Sequence, residues 1–213
     1  THKDTAAAIW AIAREFKKVG KPKKALELHQ YNVEHFPNEK HAMWSQVEIT
    51  YYHIETGDFT AAGADVDKLL KVFSAQPTLS KEIYQVAQRY EKAGKIEKAL
   101  PLYQYNVEHF PKDQYAMWSQ VEIIRTHLHS GDNQAADAAC DTLLSVFSTQ
   151  PALPKEVYQL AREYSELKRH DRALSLDKYS AEHFPNDMYG RLSEVYYHLR
   201  NAEYPATDIG VNR

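Results

Sequence analysis

The chain has 213 residues, a formal net charge of −3 at pH 7, 43% hydrophobic residues and one cysteine. This charge balance provides no basic surface of the kind that attracts nucleic acid or an anionic membrane. A single cysteine excludes an intramolecular disulfide framework, and no apolar run reaches the roughly 20 residues of a membrane-spanning helix. We therefore expect neither nucleic-acid binding nor membrane insertion.

The first stretch predicts a helical hairpin. Four apolar residues have the spacing i, i+3, i+4, i+7 of one helix face: Ile9, Ile12, Ala13 and Phe16. Gly20 ends this helix, and Pro22 can start the next one, because the first residue of a helix needs no N–H partner. Pro37 then stops the second helix, since a proline disfavours the helical conformation of its predecessor.

A second hairpin follows. Asn38 is the expected N-cap of its first helix, which runs to the Gly57–Asp58 turn, where Asp58 can cap the partner helix. Gln76–Pro77 ends that partner helix. The chain then repeats itself after 74 residues: YNVEHFP at 31–37 returns at 105–111 and, as YSAEHFP, at 179–185. Fixed-period self-similarity is the signature of a solenoid, whose units contact mainly their neighbours.

We therefore predict an all-α solenoid of eleven helices, forming one repeat array over residues 1–213. Its predicted hairpins are about 6–37, 38–77, 80–111, 112–151 and 154–185, with a final helix at 187–202 and a tail at 203–213. Because the chain begins with Thr1 close to a repeat boundary, we expect either a piece of a longer array or a removed leader.

The first hairpin of each period has a small residue in its first helix, an aromatic residue three positions later and an alanine in its second helix. A proline closes it, and a glycine forms the turn in two periods. The residues are Ala13, Phe16, Gly20, Ala25 and Pro37; Ala87, Tyr90, Gly94, Ala99 and Pro111; Ala161, Tyr164, Ala173 and Pro185. This pattern resembles the tetratricopeptide repeat (TPR) over nearly all of residues 6–203, which implies a right-handed superhelix. Lys168 stands where the third glycine is expected.

The sequence contains no residue pattern that is typical of a metal site or of a catalytic site. His35, His109 and His183 are one repeat position, and an intervening hairpin separates successive copies too far for a shared ion. Cys140 has Val66 as its repeat partner, so a buried small side chain is its expected role. Since phosphate loops and nucleophile motifs are also missing from the sequence, we expect no metal, no cofactor and no enzymatic activity.

The resemblance implies that the first helix of each hairpin lines an inner, concave groove. By register, ten residues are candidates for binding a peptide there: Trp10, Arg14, Trp44, Tyr51, Tyr84, Gln88, Trp118, Arg125, Tyr158 and Arg162. Aromatic residues next to arginines are typical of interface hot spots, because they combine large buried area with directional donors. The alternative is that the tryptophans belong to the core between hairpins.

Two functions remain open at this stage. The first is a scaffold that binds a protein or peptide segment in the groove. The second is a structural spacer or assembly element of a longer repeat protein, which self-associates through open array ends. An RNA-reading repeat is disfavoured because phosphate contacts need basic grooves. The FP-x4-A-x-W run followed by GD is similar to repeats of bacterial envelope lipoproteins, so a cytoplasmic and a bacterial periplasmic location both stay open.

Overall fold

The computed structural model describes residues 2–203, and all regular secondary structure in that range is α-helical. The eleven helices confirm the predicted class and number. They are α1 His2–Lys18, α2 Pro22–His35, α3 Lys40–Thr56, α4 Phe59–Val72, α5 Leu79–Lys92, α6 Ile96–His109, α7 Gln114–Ser130, α8 Asn133–Val146, α9 Leu153–Glu166, α10 His170–His183 and α11 Met188–Glu203. The predicted tail beyond α11 lies outside the described residues.

By its internal contacts the chain divides into two compact units, Thr1–Ser119 and Gln120–Arg213. In the first unit, the two helices of each hairpin pack together, and α3 packs on both α1 and α5. In the second unit, α9, α10 and α11 pack on one another. First helices of neighbouring hairpins therefore lie side by side within each unit, whereas a single array over residues 1–213 stays a prediction.

The small and aromatic residues of the TPR-like pattern form the centre of the hairpins. Ala13, Ala87 and Ala161 are completely buried. Tyr90 and Tyr164 are at most 1% exposed. A methyl side chain lets two helices approach closely, and the aromatic ring fills the volume beside it at the density of a protein interior. The repeated pattern therefore specifies the packing of each hairpin.

Helix starts follow the sequence in most places. Pro22 is the first residue of α2. Asp58 accepts a hydrogen bond from the backbone N–H of Ala61 at 3.0 Å, and Asp132 accepts one from Ala135 at 3.1 Å. These aspartates satisfy N–H groups that have no partner inside the helix.

The predicted cap at Asn38 is wrong. The helix α3 begins at Lys40, and the preceding residue, Glu39, makes no capping bond with its side chain. The reason is local: the backbone N–H of Glu39 bonds to the carbonyl of Phe36 at 2.9 Å. This closes a turn around Pro37 and Asn38, so two more residues are used in reversing the chain direction.

The turn between the two helices of the first hairpin needs one residue in the left-handed conformation. Gly20 and Gly94 supply it with φ of 73° and 71°, and Lys168 adopts it with φ of 61°. A lysine side chain is strained there, because its Cβ crowds the backbone carbonyl. The turn between α9 and α10 thus has the same geometry as its two copies, although its glycine is missing.

This strain leads to a prediction. Lys168→Gly is expected to raise the free energy of unfolding by about 1 kcal/mol, because glycine adopts this φ without a steric cost. Urea denaturation followed by circular dichroism measures the change. The matched control is Gly94→Lys, which should lower the same free energy by about 1–2 kcal/mol. Equal stability of the wild type and both variants would show that the turn relaxes freely.

Candidate functional site

An aromatic cluster joins α1 and α3 in the first unit. The Trp10 and Trp44 rings lie 5.3 Å apart between centroids, and the His41 ring stands edge-on to Trp44 at 5.0 Å. Trp10 and His41 are also neighbours, at 5.8 Å. All three side chains are half-buried, so one side of the cluster packs in the protein and the other is open to a ligand.

This cluster forms one wall of a cleft of about 360 Å³ that α1, α3 and α5 build together. Four of the predicted site residues line it, namely Trp10, Arg14, Trp44 and Tyr51. The remaining lining residues are Val47, Glu48, Lys81, Glu82 and Gln85. The half-buried tryptophans therefore serve both the packing between hairpins and the surface of the cleft, which the sequence had left as alternatives.

Cations lie over the aromatic rings around this cleft. The Arg14 guanidinium stands 4.6 Å from the centre of the Trp10 ring, and the Lys40 ammonium stands 4.3 Å from that of Trp44. Arg89 lies 4.5 Å over Tyr51 and is also paired with Glu55 at 2.6 Å. A cation over an aromatic face is held by the negative charge density of the ring. These contacts orient the long side chains without neutralising their charge.

Polar groups around the cleft make only some of the hydrogen bonds that they could make. Burial raises the pKa of the Glu82 carboxyl, while a hydrogen bond with the Trp44 side chain acts to lower it. The Tyr51 hydroxyl donates to Gln85 Oε1 over a long 3.5 Å. The buried Nε1 of Trp10 has no hydrogen-bond partner in the described part of the chain.

A second aromatic cluster repeats the first one period later, still within the first unit. Tyr84, Tyr115 and Trp118 occupy the register positions of Trp10, His41 and Trp44. The rings of Tyr84 and Trp118 lie 6.1 Å apart, and those of Tyr115 and Trp118 lie 5.1 Å apart. Gln88 Nε2 donates to the Tyr84 hydroxyl at 3.0 Å. Three more predicted site residues, Tyr84, Gln88 and Trp118, thus meet in one place.

The third copy, in the second unit, is built differently. The Arg162 guanidinium lies 4.7 Å from the Tyr158 ring centre and 3.7 Å from that of Tyr196. Its Nη2 atom also bonds to both carboxylate oxygens of Asp177, at 2.6 and 2.7 Å. Asp177 is completely buried, and Arg200 Nη1 lies 3.3 Å from its Oδ2 atom. Arg162 is thus a half-buried cation that is paired with a buried carboxylate.

The difference between the copies lies in the partner residue. Asp177 stands where the earlier periods have His29 and Tyr103, so Arg162 is ion-paired, whereas Arg14 is not. Burial raises the pKa of the Asp177 carboxyl to about 6, while Arg162 and Arg200 act to lower it. Arg125 is similarly engaged, since its Nη2 bonds to Glu163 at 2.9 Å.

Two sets of important residues were missed. On α5, the cleft uses Lys81, Glu82 and Gln85, none of which is at the predicted positions 84 and 88. The other set consists of buried polar residues: Asn106 Nδ2 donates to the Ser80 carbonyl at 2.8 Å and to Ser119 Oγ at 3.1 Å. The repeated Asn of YNVEHFP was the signal, because a polar residue recurring on an apolar face needs a buried partner.

The histidines and the cysteine have local roles. His35, His109 and His183 are exposed, and the Nδ1 of each lies 2.9–3.0 Å from the carbonyl oxygen of the tyrosine four residues earlier. Cys140 is completely buried, and burial raises the pKa of its thiol to about 11. The described residues contain no group of three potential metal ligands. None of the described helices is long and apolar enough to cross a membrane.

Comparison with known proteins supports the fold. No protein-family model and no curated protein matches the sequence. The structure is similar to a putative kinesin light chain with nearly identical TPR-like repeats from Podospora anserina, with TM-score 0.55 and 16% identity over 92% of this chain and 98% of that chain. A point-substituted form of that protein matches with TM-score 0.55 and 15% identity over 95% and 97%. The TPR protein YrrB, whose description names an unusual peptide-binding site, has TM-score 0.48 and 14% identity over 88% and 90%. The fold is therefore a TPR-like α-solenoid.

Proposed function

We propose that this protein is a non-enzymatic interaction scaffold that binds a polypeptide segment in the cleft of α1, α3 and α5. The observation that carries the proposal is the combination of an aromatic wall with two cationic side chains. Arg14 and Lys81 line the cleft, and neither makes an ion pair with any described residue. A TPR-like fold is of the kind on which protein-interaction scaffolds are built, so a peptide is the ligand class that fits.

The lining also indicates the chemistry of the segment. Trp10 and Trp44 offer apolar surface to one hydrophobic side chain, and large aromatic residues contribute much of the energy of such interfaces. Glu48 is already paired with Lys17 at 3.0 Å, and burial disfavours the charged form of Glu82, so the charge that the cleft offers to a ligand is that of Arg14 and Lys81. We therefore propose that the segment carries an acidic group next to an apolar residue.

The ten candidate residues divide under this proposal. Trp10, Arg14, Trp44 and Tyr51 contact the segment directly. The neighbouring cluster of Tyr84, Gln88 and Trp118 extends the same binding face within the first unit. In the second unit, Tyr158 packs against Arg162, and both Arg125 and Arg162 are held by carboxylates. We assign these three residues to stability and not to ligand binding.

A display selection followed by fluorescence tests the proposal. Peptides selected from a random phage-displayed library on the whole chain should be rich in acidic and apolar residues. Their binding is then measured by tryptophan emission in a Trp118→Phe variant, because the other two tryptophans both line the cleft. Arg14→Ala should weaken binding at least about tenfold, since it removes a charge-assisted hydrogen bond.

The matched control is Arg191→Ala, which removes an exposed arginine of α11 and should leave the affinity unchanged. Circular dichroism checks that both variants keep their helix content and melting temperature. Equal affinity of Arg14→Ala and Arg191→Ala would exclude the cleft as the binding site. A selection that yields only basic peptides would contradict the proposed ligand chemistry.

A specific observation also favours the second function, self-association through the ends of the array. Ile12 on α1 is 51% exposed, although its repeat copies Val86 and Leu160 are buried. Val195 on α11 is 55% exposed, although its copy Val121 is buried. Head-to-tail stacking of two chains would cover both faces. Under this alternative, sedimentation would show concentration-dependent association that Val195→Glu abolishes.

A further inference from the structure

A second cleft, of about 450 Å³, lies between α4 and α6, the second helices of two neighbouring hairpins. It shares no residue with the cleft of α1, α3 and α5. Val66 and Leu102 give it apolar walls, and its charged residues are Asp67, Glu97 and Lys98, beside Gly63. It therefore differs in both place and chemistry from the site described above.

The chain contains its own copy of this cleft, 74 residues later, between α8 and α10. In that copy Asp137, Asp141 and Arg172 replace Gly63, Asp67 and Lys98. The Arg172 Nη2 atom bonds to Asp141 Oδ1 at 2.5 Å and to the Asp137 carbonyl at 3.2 Å. The second copy thus holds an internal guanidinium against its aspartate.

The first copy lacks this guanidinium but keeps the acceptor. Asp67 is exposed and makes no hydrogen bond or ion pair with a described residue, and Lys98 makes no ion pair either. A Cβ atom built on Gly63 would meet no atom within 4 Å, so the space that Asp137 occupies in the other copy is open. The carboxylate of Asp67 is therefore presented to an empty, partly apolar cleft.

Tyr90 adds a second polar group. It lines the cleft and is 1% exposed, and its hydroxyl has no hydrogen-bond partner in the described part of the chain. The hydroxyl of its copy, Tyr164, has Asp137 as a hydrogen-bonding neighbour, where the first copy has Gly63. The two copies are therefore distinguished by the aspartate and the arginine that lie in one cleft and are missing from the other.

We propose that the cleft between α4 and α6 binds an arginine side chain of a partner polypeptide. The guanidinium takes the place that Arg172 has in the second copy and bonds to Asp67, while its methylene groups lie on Val66 and Leu102. Arginine fits better than lysine because its planar fork can bond to a carboxylate with two N–H groups and stack on a tyrosine ring. The inference does not depend on the peptide site at α1, α3 and α5.

Two-dimensional ¹H–¹⁵N NMR of the whole chain tests this assignment. The probe is the peptide acetyl-Gly-Arg-Gly-amide, with the corresponding lysine and leucine peptides as controls. The backbone amide of Gly63 reports binding directly, because it lies in the cleft and glycine amides resonate in a distinct region. The arginine peptide should shift this signal saturably, and the lysine peptide should bind at least about tenfold more weakly.

The internal copy supplies the decisive variants. Gly63→Asp combined with Lys98→Arg rebuilds the filled copy, so its own guanidinium should close the cleft and abolish binding while the protein stays folded. Asp67→Asn should weaken binding at least about tenfold. The matched control is Asp141→Asn, which changes the same register position in the filled copy and should leave the Gly63 titration unchanged.

Three results would overturn the proposal. The first is that the arginine peptide causes no saturable shift of the Gly63 signal. The second is that the leucine peptide causes an equal shift. The third is that the variant with Gly63→Asp and Lys98→Arg binds the arginine peptide as well as the wild type does. Melting curves of each variant show that a loss of binding is not a loss of folding. An equal response to leucine would instead identify a purely apolar site.

Discussion

Arg162→Ala is expected to lower the free energy of unfolding of the second unit by about 3–5 kcal/mol, because it leaves a buried carboxylate short of a partner. Asp177 is 0% exposed, and Arg162 supplies its shortest bonds, at 2.6 and 2.7 Å. Arg200 remains at 3.3 Å but has to bond to the Ala161 carbonyl as well. One guanidinium cannot replace the solvation that two provided.

Urea denaturation of the whole chain measures this loss, and hydrogen exchange localises it to α9, α10 and α11. The loss should be complete at pH 7 and smaller near pH 5. Burial already raises the pKa of the Asp177 carboxyl to about 6, and removing Arg162 raises it further. The folded variant then takes up a proton more readily than the unfolded chain, which favours folding at lower pH.

Matched substitutions come from the other periods. Arg14→Ala removes the arginine at the same register position, but Arg14 is exposed, so the cost should be less than about 1 kcal/mol. Arg162→Gln with Asp177→Tyr rebuilds the pair Gln88 and Tyr103 and should recover most of the loss. Equal losses for Arg14→Ala and Arg162→Ala would show that Asp177 is solvated and not internally paired.

The second large effect is expected on acidification of the first unit. His29 is 2% exposed, and its Nδ1 lies 3.1 Å from Ser45 Oγ. Burial lowers the pKa of its imidazole from 6.5 to about 4, although nearby Glu48 acts to raise it. The folded protein therefore keeps His29 neutral over a pH range in which the unfolded chain protonates it.

This difference in pKa determines the direction in which stability changes with pH. Above pH 6.5 both states are neutral at His29, and its contribution to stability is complete. As the pH falls from 6.5 to about 4, the unfolded chain binds the proton first. The free energy of unfolding should therefore decrease by about 3 kcal/mol over this range, in addition to changes from other groups.

The control is His29→Tyr, which installs the residue that the second period has at Tyr103. The difference in unfolding free energy between wild type and variant, followed from pH 7 to pH 4, isolates the contribution of His29. NMR titration of the imidazole provides a direct check. A midpoint near the usual pKa of about 6.5 would mean that the ring is solvated and would remove the expected difference.

The cleft of α1, α3 and α5 shows which part of the candidate site the sequence predicted. The register of the repeat placed Trp10, Arg14, Trp44 and Tyr51 on one face, and the structure brings these four side chains to one cavity. The register did not predict Lys81, Glu82 and Gln85, which α5 contributes to the same cavity. Which of several neighbouring residues of a helix border a cavity depends on how that helix packs on the others, and a repeat pattern does not specify it.

The sequence by itself determined the all-α class, the eleven helices and most of the turns. These features depend on neighbouring residues: apolar spacing along one helix, an aspartate before its first turn, and a proline after its last. Because the 74-residue repeat contains each of these signals more than once, agreement between the copies identifies the helix starts and ends. Even Lys168 follows its copies, because the flanking helices impose the left-handed turn on it.

Only the tertiary structure decided what each repeated side chain meets. Arg14 and Arg162 share a register position, yet one lies open over Trp10 and the other is bound to buried Asp177. Likewise Asp67 faces an empty cleft while Asp141 holds Arg172. The partner in each case lies on another helix, and a change there alters the charge and solvation of the first residue. The residue pattern of one helix therefore gives no information about a change of its partner on another helix.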